Sequence, residues 1–259
     1  MKTLLFLALS ALSATAAPDD WKLVWSDEFD QAGPPDPAKW GFEKGLLRNN
    51  EKQFYTDRKE NARIEGGRLV IEAHKESMEG STFTSASLNS KGHGEWTYGR
   101  FEVKAKIPAA RGTWPAIWML PTDIGKVPWP KCGEIDIMEH VGYDPNKIHG
   151  TLHTEAYNHI KKTQRGETIG VATATTGFHI YSAEWTPERI VISIDGKAYG
   201  TFDKKPDDKV DQWPFDKPFY LILNLAIGGD WGGIKGIDEA AFPQRMEVDY
   251  VRIYQKSKK

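Results

Sequence analysis

The sequence predicts an all-β protein built as a two-sheet jelly-roll sandwich. Three observations lead there. Short runs rich in β-branched and aromatic residues recur along the chain, turn residues separate them, and helical periodicity is weak throughout. Strands that follow one another without intervening helices point to a sandwich or barrel, and so many of them call for two sheets. The length of 259 residues suits one domain of that kind.

The first residues stand apart from this pattern. Lys2 gives one positive charge, residues 4–12 (LLFLALSAL) are apolar but too short to span a bilayer, and Ala14-Thr15-Ala16 offers a small-x-small cleavage site. Residues 1–16 therefore read as a secretory signal peptide and residues 17–259 as the mature domain. The mature chain is expected to be exported, free of the membrane and monomeric. From there the clearest strand runs are LVIEA (69–73), YGRFEVKAKI (98–107), AIWML (116–120), EIDIMEH (134–140) and IHGTLHT (148–154). FHIYSAEW (178–185), RIVISID (189–195), FYLILNLAI (219–227) and MEVDYVRIY (246–254) follow. FEVKAKI alternates apolar and polar residues, the mark of a strand with one buried face. Asp195-Gly196 between two such runs is a two-residue hairpin signal.

Composition narrows the function. With 34 Lys+Arg against 36 Asp+Glu the net charge is −2, which supplies no basic face for nucleic acid. Cys132 is the only cysteine, so an intrachain disulfide and a Cys-rich zinc site are excluded. A catalytic thiol would need an activating base, and Cys132 is expected instead to be buried and inert. Ten tryptophans suit a surface that stacks on flat ligands.

The chemistry concentrates in Gly133-Glu134-Ile135-Asp136-Ile137-Met138-Glu139-His140. A regular strand puts Glu134, Asp136 and Met138 on one face and Glu139 on the other. A β-bulge near Ile137-Met138 removes that conflict and lines all three acids along one face. The outer Cα atoms would then be roughly 13 Å apart at ~3.3 Å per residue. Inward-reaching side chains bring the carboxyls to about 5–6 Å, the spacing of a retaining glycosidase. On this reading Glu134 is the nucleophile and Glu139 the general acid, then base. Asp136 hydrogen-bonds Glu134, and its charge helps keep a proton on Glu139. Acids alternating along a strand also suit a solvated face or a hard-cation site, and spacing alone leaves these open.

GEIDIMEH resembles the E-x-D-x-x-E signature of glycoside hydrolase family 16, in the form with one extra residue, supplied here by Met138. That form is found in laminarinases (endo-1,3-β-glucanases) and some agarases. WSDEFD (25–30), NNEKQFYT (49–56), FTSASLNS (83–90), YGRFEVKAKIP (98–108), GTWPAIWMLP (112–121), HGTLH (149–153), NLAIGGDWGG (224–233) and MEVDYVRIY (246–254) are similar to laminarinase segments in the same order. The resemblance implies a concanavalin A-like jelly roll with an open cleft on its concave sheet. It also implies retention of anomeric configuration and attack within a β-glucan chain, with no cofactor required for the chemistry. Mixed-linkage glucan, agarose and a non-catalytic β-glucan-binding role are the alternatives.

Trp114 and Trp118 share a strand face, and indoles stack on the C–H faces of pyranose rings. The resemblance places Trp118 beside the nucleophile and His153 near Glu139. Trp231, in a glycine-rich loop, offers another wall. Asn49 and Asn224 are implied to hydrogen-bond sugar hydroxyls on the non-reducing side, whereas Ser87 stands where many family members carry Arg. Trp25, Trp40 and Trp185 read as packing residues, His149 as structural, and Arg100 as an ion-pair partner. A His-based zinc site at His149 and His153 lacks a third ligand in the sequence. The family also implies a structural calcium away from the cleft, held through Glu28 (backbone carbonyl), Gly66 or Gly67, and Asp249.

Overall fold

The computed structural model describes residues 20–257. The segment read as a signal peptide lies outside them. The first strands are β1 (Trp21–Asp27), β2 (Gly41–Glu43), β3 (Gln53–Tyr55), β4 (Ala62–Ile64), β5 (Leu69–Ala73) and β6 (Phe83–Ser85). Next come β7 (Ser87–Asn89), β8 (Gly99–Lys106), β9 (Thr113–Pro121), β10 (Glu134–Glu139), β11 (Lys147–His153) and β12 (Arg165–Gly170). The last are β13 (His179–Trp185), β14 (Arg189–Ile194), β15 (Lys197–Asp203), β16 (Phe219–Ile227) and β17 (Gln244–Lys256), with the helical turn α1 (Gly229–Gly232) and a 3-10 turn (Glu239–Ala241) between β16 and β17. Among the described residues no helix is long and apolar enough to cross a membrane.

The strands form two large antiparallel sheets, as the sequence predicts. One runs β15-β14-β13-β8-β17-β5-β4, with β1 also on β17; the other runs β12-β11-β10-β9-β16-β7-β2. A small parallel pair, β3-β6, joins them. The core lies between the large sheets. Phe101, Val103 and Ala105 of β8 and Ile190, Ile192 and Ile194 of β14 face it from one side. Ile135, Ile148, Leu223 and Leu225 face it from the other. Each large side chain so buried contributes about 1.5–3 kcal/mol. Trp40 and Trp185 are core residues, and Trp25 packs edge-on against Trp40.

Period-two alternation is what hands the second sheet its outer face. In β16, Asn224 points away from the core between inward Leu223 and Leu225. Turn chemistry fixes the pairings. Asp195 and Gly196 both have positive φ (49° and 75°), the requirement of the tight hairpin joining β14 to β15. Gly133 enters β10 with φ 86°, and a Cβ there would meet Pro214 Cγ at 2.7 Å.

Candidate active site

β10 carries the predicted irregularity. Against β9, Asp136 pairs with Trp118 but Met138 pairs with Ile117, so Ile137 is the residue skipped in that register. The sequence reading gave the extra position to Met138; the pairing gives it to Ile137. Against β11, Asp136 pairs with Thr151 and Glu139 with His149. Ile137 and Met138 are both fully buried in the core. The bulge thus turns two consecutive hydrophobic residues inward and leaves Glu134, Asp136 and Glu139 lining one cleft. Tyr199, reaching from β15, donates its hydroxyl to the Ile137 carbonyl at 2.9 Å and pins the kink.

The cleft has a volume of about 1090 Å³. Each outer glutamate is held by its own indole. Trp129 Nε1 donates to Glu134 Oε2 at 2.8 Å, and Trp114 Nε1 donates to Glu139 Oε1 at 3.0 Å. Burial drives the Glu134 carboxyl up to about 7, against the pull of hydrogen bonds from Asp136 and Trp129 and the nearby Arg48 charge. Burial and then the Glu134 charge push Glu139 up to about 8. Asp136 is raised well above the carboxylate range by burial, by its two acidic neighbours and by its hydrogen bond with Glu134. Asp136 therefore keeps its proton and gives it to Glu134 in a hydrogen bond, which favours ionised Glu134. The sequence reading gave Asp136 a charge acting on Glu139; the two carboxyls do interact, Asp136 being raised by Glu134 and Glu139 together.

Strand register places the two histidines. Antiparallel register sets His153 opposite Glu134 and His149 opposite Glu139. His153 Nε2 lies 3.4 Å from Asp136 Oδ2 and 4.0 Å from Glu134 Oε1, not beside Glu139 as the resemblance implied. Burial and neighbouring His159 lower its pKa to about 4, so it is neutral at pH 7. Ligand atoms of Glu134, Asp136 and His153 all fall within 4.8 Å of one another, and His149 is not part of that group. His149 bonds Thr168 and packs on Trp231.

Of the other residues singled out in the sequence, Trp114, Trp118, Asn49, Asn224 and Trp231 all line the cleft. Trp114 and Trp231 meet edge-on, with ring centroids 5.5 Å apart. Trp118 is only 8% exposed, because the Arg48 guanidinium lies over its ring at 5.0 Å. Trp118 Nε1 donates to Asn224 Oδ1 at 2.7 Å, and Asn224 Nδ2 donates to Tyr55 Oη at 2.9 Å. Asn224 thus spends these polar atoms on holding the indole. Asn49, at φ 54°, donates to Glu51 Oε1. Ser87 is buried and bonds Glu43. Arg100 pairs with Glu102, as expected. Cys132 is fully buried, and burial pushes its thiol up to about 12, which leaves it inert.

Sequence reasoning missed Trp129, Arg48, Tyr55 and His159. Trp129, five residues before Glu134, carried a legible signal: an indole within reach of the acid motif.

The residues of the implied calcium site lie on or next to strands of the sheet that does not carry the acids. Pairing of Asp27 with Val251 and of Val248 with Leu69 brings the residues next to Glu28 and the Gly66-Gly67 turn toward Asp249, the extra residue of a bulge in β17. Oxygen donors are the kind a hard cation takes. The Asp249 carboxylate contacts Lys104 at 2.8 Å, and the Glu28 carboxylate holds Arg252, leaving its backbone carbonyl as the donor.

A sandwich whose sheet face gathers one buried and two half-buried carboxyls, the latter two held by indoles in a cleft, defines a carbohydrate-cleaving hydrolase. The chain belongs to the glycosyl hydrolases family 16, whose family model matches residues 49–252. It is 54% identical to a beta-glucanase of Rhodothermus marinus, over 90% of this chain and 85% of that protein. The X-ray structure of the laminarinase from Rhodothermus marinus superposes with a TM-score of 0.89 at 53% identity, covering 92% of this chain and 98% of that one. SCLam, described as a non-specific endo-β-1,3(4)-glucanase from the same family, gives 0.88 at 50% identity, covering 94% of both chains.

Proposed function

We propose that this glycoside hydrolase cleaves internal 1,3-β-glucosidic bonds of laminarin-type glucans, with retention of configuration. The observation that carries the reading is the β10 bulge, which sets Glu134 and Glu139 in one cleft with different indole partners. In the first step ionised Glu134 attacks the anomeric carbon while Glu139 gives its proton to the departing glycosidic oxygen. A glycosyl-enzyme ester forms and the C–O bond to the leaving chain breaks. In the second step Glu139, now a carboxylate, takes a proton from water, and the hydroxide displaces Glu134 with a second inversion. Asp136 supports both steps by donating its hydrogen bond to Glu134 whenever that carboxylate is free. Trp114, Trp118, Trp231, His153, Asn49 and Asn224 shape the glucan sites, with Asn49 and Asn224 on the non-reducing side.

The test is product analysis on laminarin. Mid-chain cleavage with the β-anomer released first supports the reading. Glu134→Gln and Glu139→Gln each lower turnover on laminarin by orders of magnitude, and wild-type turnover in the first variant refutes the nucleophile assignment. Action on mixed-linkage glucan is a second reading, favoured by the similarity to SCLam, and barley glucan tests it in parallel. We further infer export directed by residues 1–16, action as a monomer, and a structural calcium at Glu28, Gly66 and Asp249. N-terminal sequencing of the secreted protein and its sedimentation behaviour check the first two.

A further inference from the structure

Arg48 has no assigned step in the proposed chemistry, where its charge only helps to lower the Glu134 pKa. It precedes Asn49 in the connection from β2 to β3 and lines the cleft. Its guanidinium carbon sits 5.0 Å from the centroid of the Trp118 ring. Behind it, Arg48 Nη2 pairs with Glu43 Oε1 at 2.5 Å, and Glu43 Oε2 accepts from Ser87 Oγ at 2.7 Å. Glu43 belongs to β2 and Ser87 to β7, which are paired with each other. The guanidinium is therefore gripped from the sheet and laid on the indole. Its side chain is 25% exposed, whereas Trp118 is 8% exposed and fixed at its edge by Asn224. A sugar ring descending onto this part of the cleft meets the guanidinium before it meets the indole.

We propose that Arg48 is a glucan-binding and specificity-determining residue: with Trp118 beneath it and Glu43 behind it, its planar guanidinium forms the contact surface for a glucosyl unit on the Asn49–Asn224 side of the acids. This inference rests on the glucanase reading. A guanidinium has five N–H donors in one plane, and Glu43 can take only some of them. Arg48 lines the cleft, where a neutral hydroxylated chain offers acceptor oxygens to its other donors. Planarity matters as much as charge, because a lysine ammonium neither lies flat on an indole nor presents a fork.

The experiment measures binding in a slow background, so that chemistry does not consume the ligand. Glu134→Gln is titrated calorimetrically with a laminari-oligosaccharide, alone and combined with Arg48→Ala or Arg48→Lys. Steady-state kinetics on laminarin follow the Arg48 variants with Glu134 intact. Arg48→Ala is expected to weaken binding about tenfold, the scale of one desolvated cation–ring and hydrogen-bond contact. It should raise KM for laminarin to match, by a larger factor than any fall in kcat. Arg48→Lys should recover less than half of the lost binding energy. Binding as tight as the parent in Arg48→Ala overturns the proposal, and so does full recovery in Arg48→Lys, which would reduce the role to charge. Thermal melts accompany each variant. Should Arg48→Ala fail to fold, Arg48→Gln and Arg48→Lys decide by the same criteria, a parental affinity in either overturning the proposal. If the Glu134→Gln parent binds no laminari-oligosaccharide and the wild type does not cleave laminarin, the glucanase reading itself falls.

Discussion

Three side chains on β10 share a little space and cannot all be ionised, so hydrogen bonds decide which of them carries the charge. Asp136, the most buried of the three, is 2% exposed and holds the proton. Glu134 is steadied as an anion by Asp136 and Trp129, and Glu139 keeps its proton because burial and the Glu134 charge both penalise losing it. The sign of the pH dependence follows. Activity falls in acid as Glu134 protonates, with its pKa at about 7, and falls in base as Glu139 deprotonates, with its pKa at about 8. Trp129→Phe removes a hydrogen bond that lowers the Glu134 pKa, so the acid limb of kcat/KM should move to higher pH and the plateau should narrow. A pH–rate profile of the variant checks this. Asp136→Asn keeps an N–H donor toward Glu134 and should retain far more activity than Asp136→Ala, whose kcat is expected to drop by about a hundredfold or more, the scale of a lost positioning hydrogen bond in a dry site. Equal loss in both would mean that the donated hydrogen bond is not what matters.

At the scale of the element, β10 shows what a sequence discloses and what it withholds. Three acids in an otherwise apolar run could be reconciled with a sandwich only by a kink, and the kink is there. Long alternating runs such as β8 and β14 were equally legible, because period two records which face is buried. The three-residue strands β2, β3, β6 and β7 were not, since such short pieces owe their conformation to neighbours rather than to their own pattern. The same reason hid Arg48 and Tyr55, whose roles depend on contacts with Trp118 and Asn224, remote in sequence. It also misplaced His153, because strand register, not composition, decides which acid it faces. Tyr199 is the one donor from the opposite sheet that holds the bulge carbonyl. Tyr199→Phe should cost about 1–3 kcal/mol, the penalty of leaving a buried acceptor unsatisfied. It should also lower kcat severalfold with KM nearly unchanged, as Glu139 loses its fixed aim. Urea denaturation and steady-state kinetics measure the two effects.

For the molecule as a whole, the two sheets divide the work. The inner faces supply the hydrophobic core, and one outer face supplies the reaction, so the core can be dense without crowding the substrate. A single buried thiol offers no cross-link, which leaves stability to packing and to any bound ion. If calcium occupies the Glu28–Gly66–Asp249 corner, a concentration one hundred times its Kd should add about 2.7 kcal/mol of stability. The melting temperature should then rise with added calcium and fall with chelator, while kcat on laminarin at 25 °C stays the same. A melting temperature indifferent to both would remove the ion from that corner.

β1 and β17 lie side by side, and the Ser257 amide reaches the Asp20 carbonyl at 3.3 Å. Head and tail of the folded body are thus already neighbours, on the sheet that does not carry the acids. A short peptide joining them, with new ends cut in the exposed 205–209 turn, should yield a permuted chain that still digests glucan. The order in which a ribosome delivers these strands would then be shown to be incidental to the catalyst they compose.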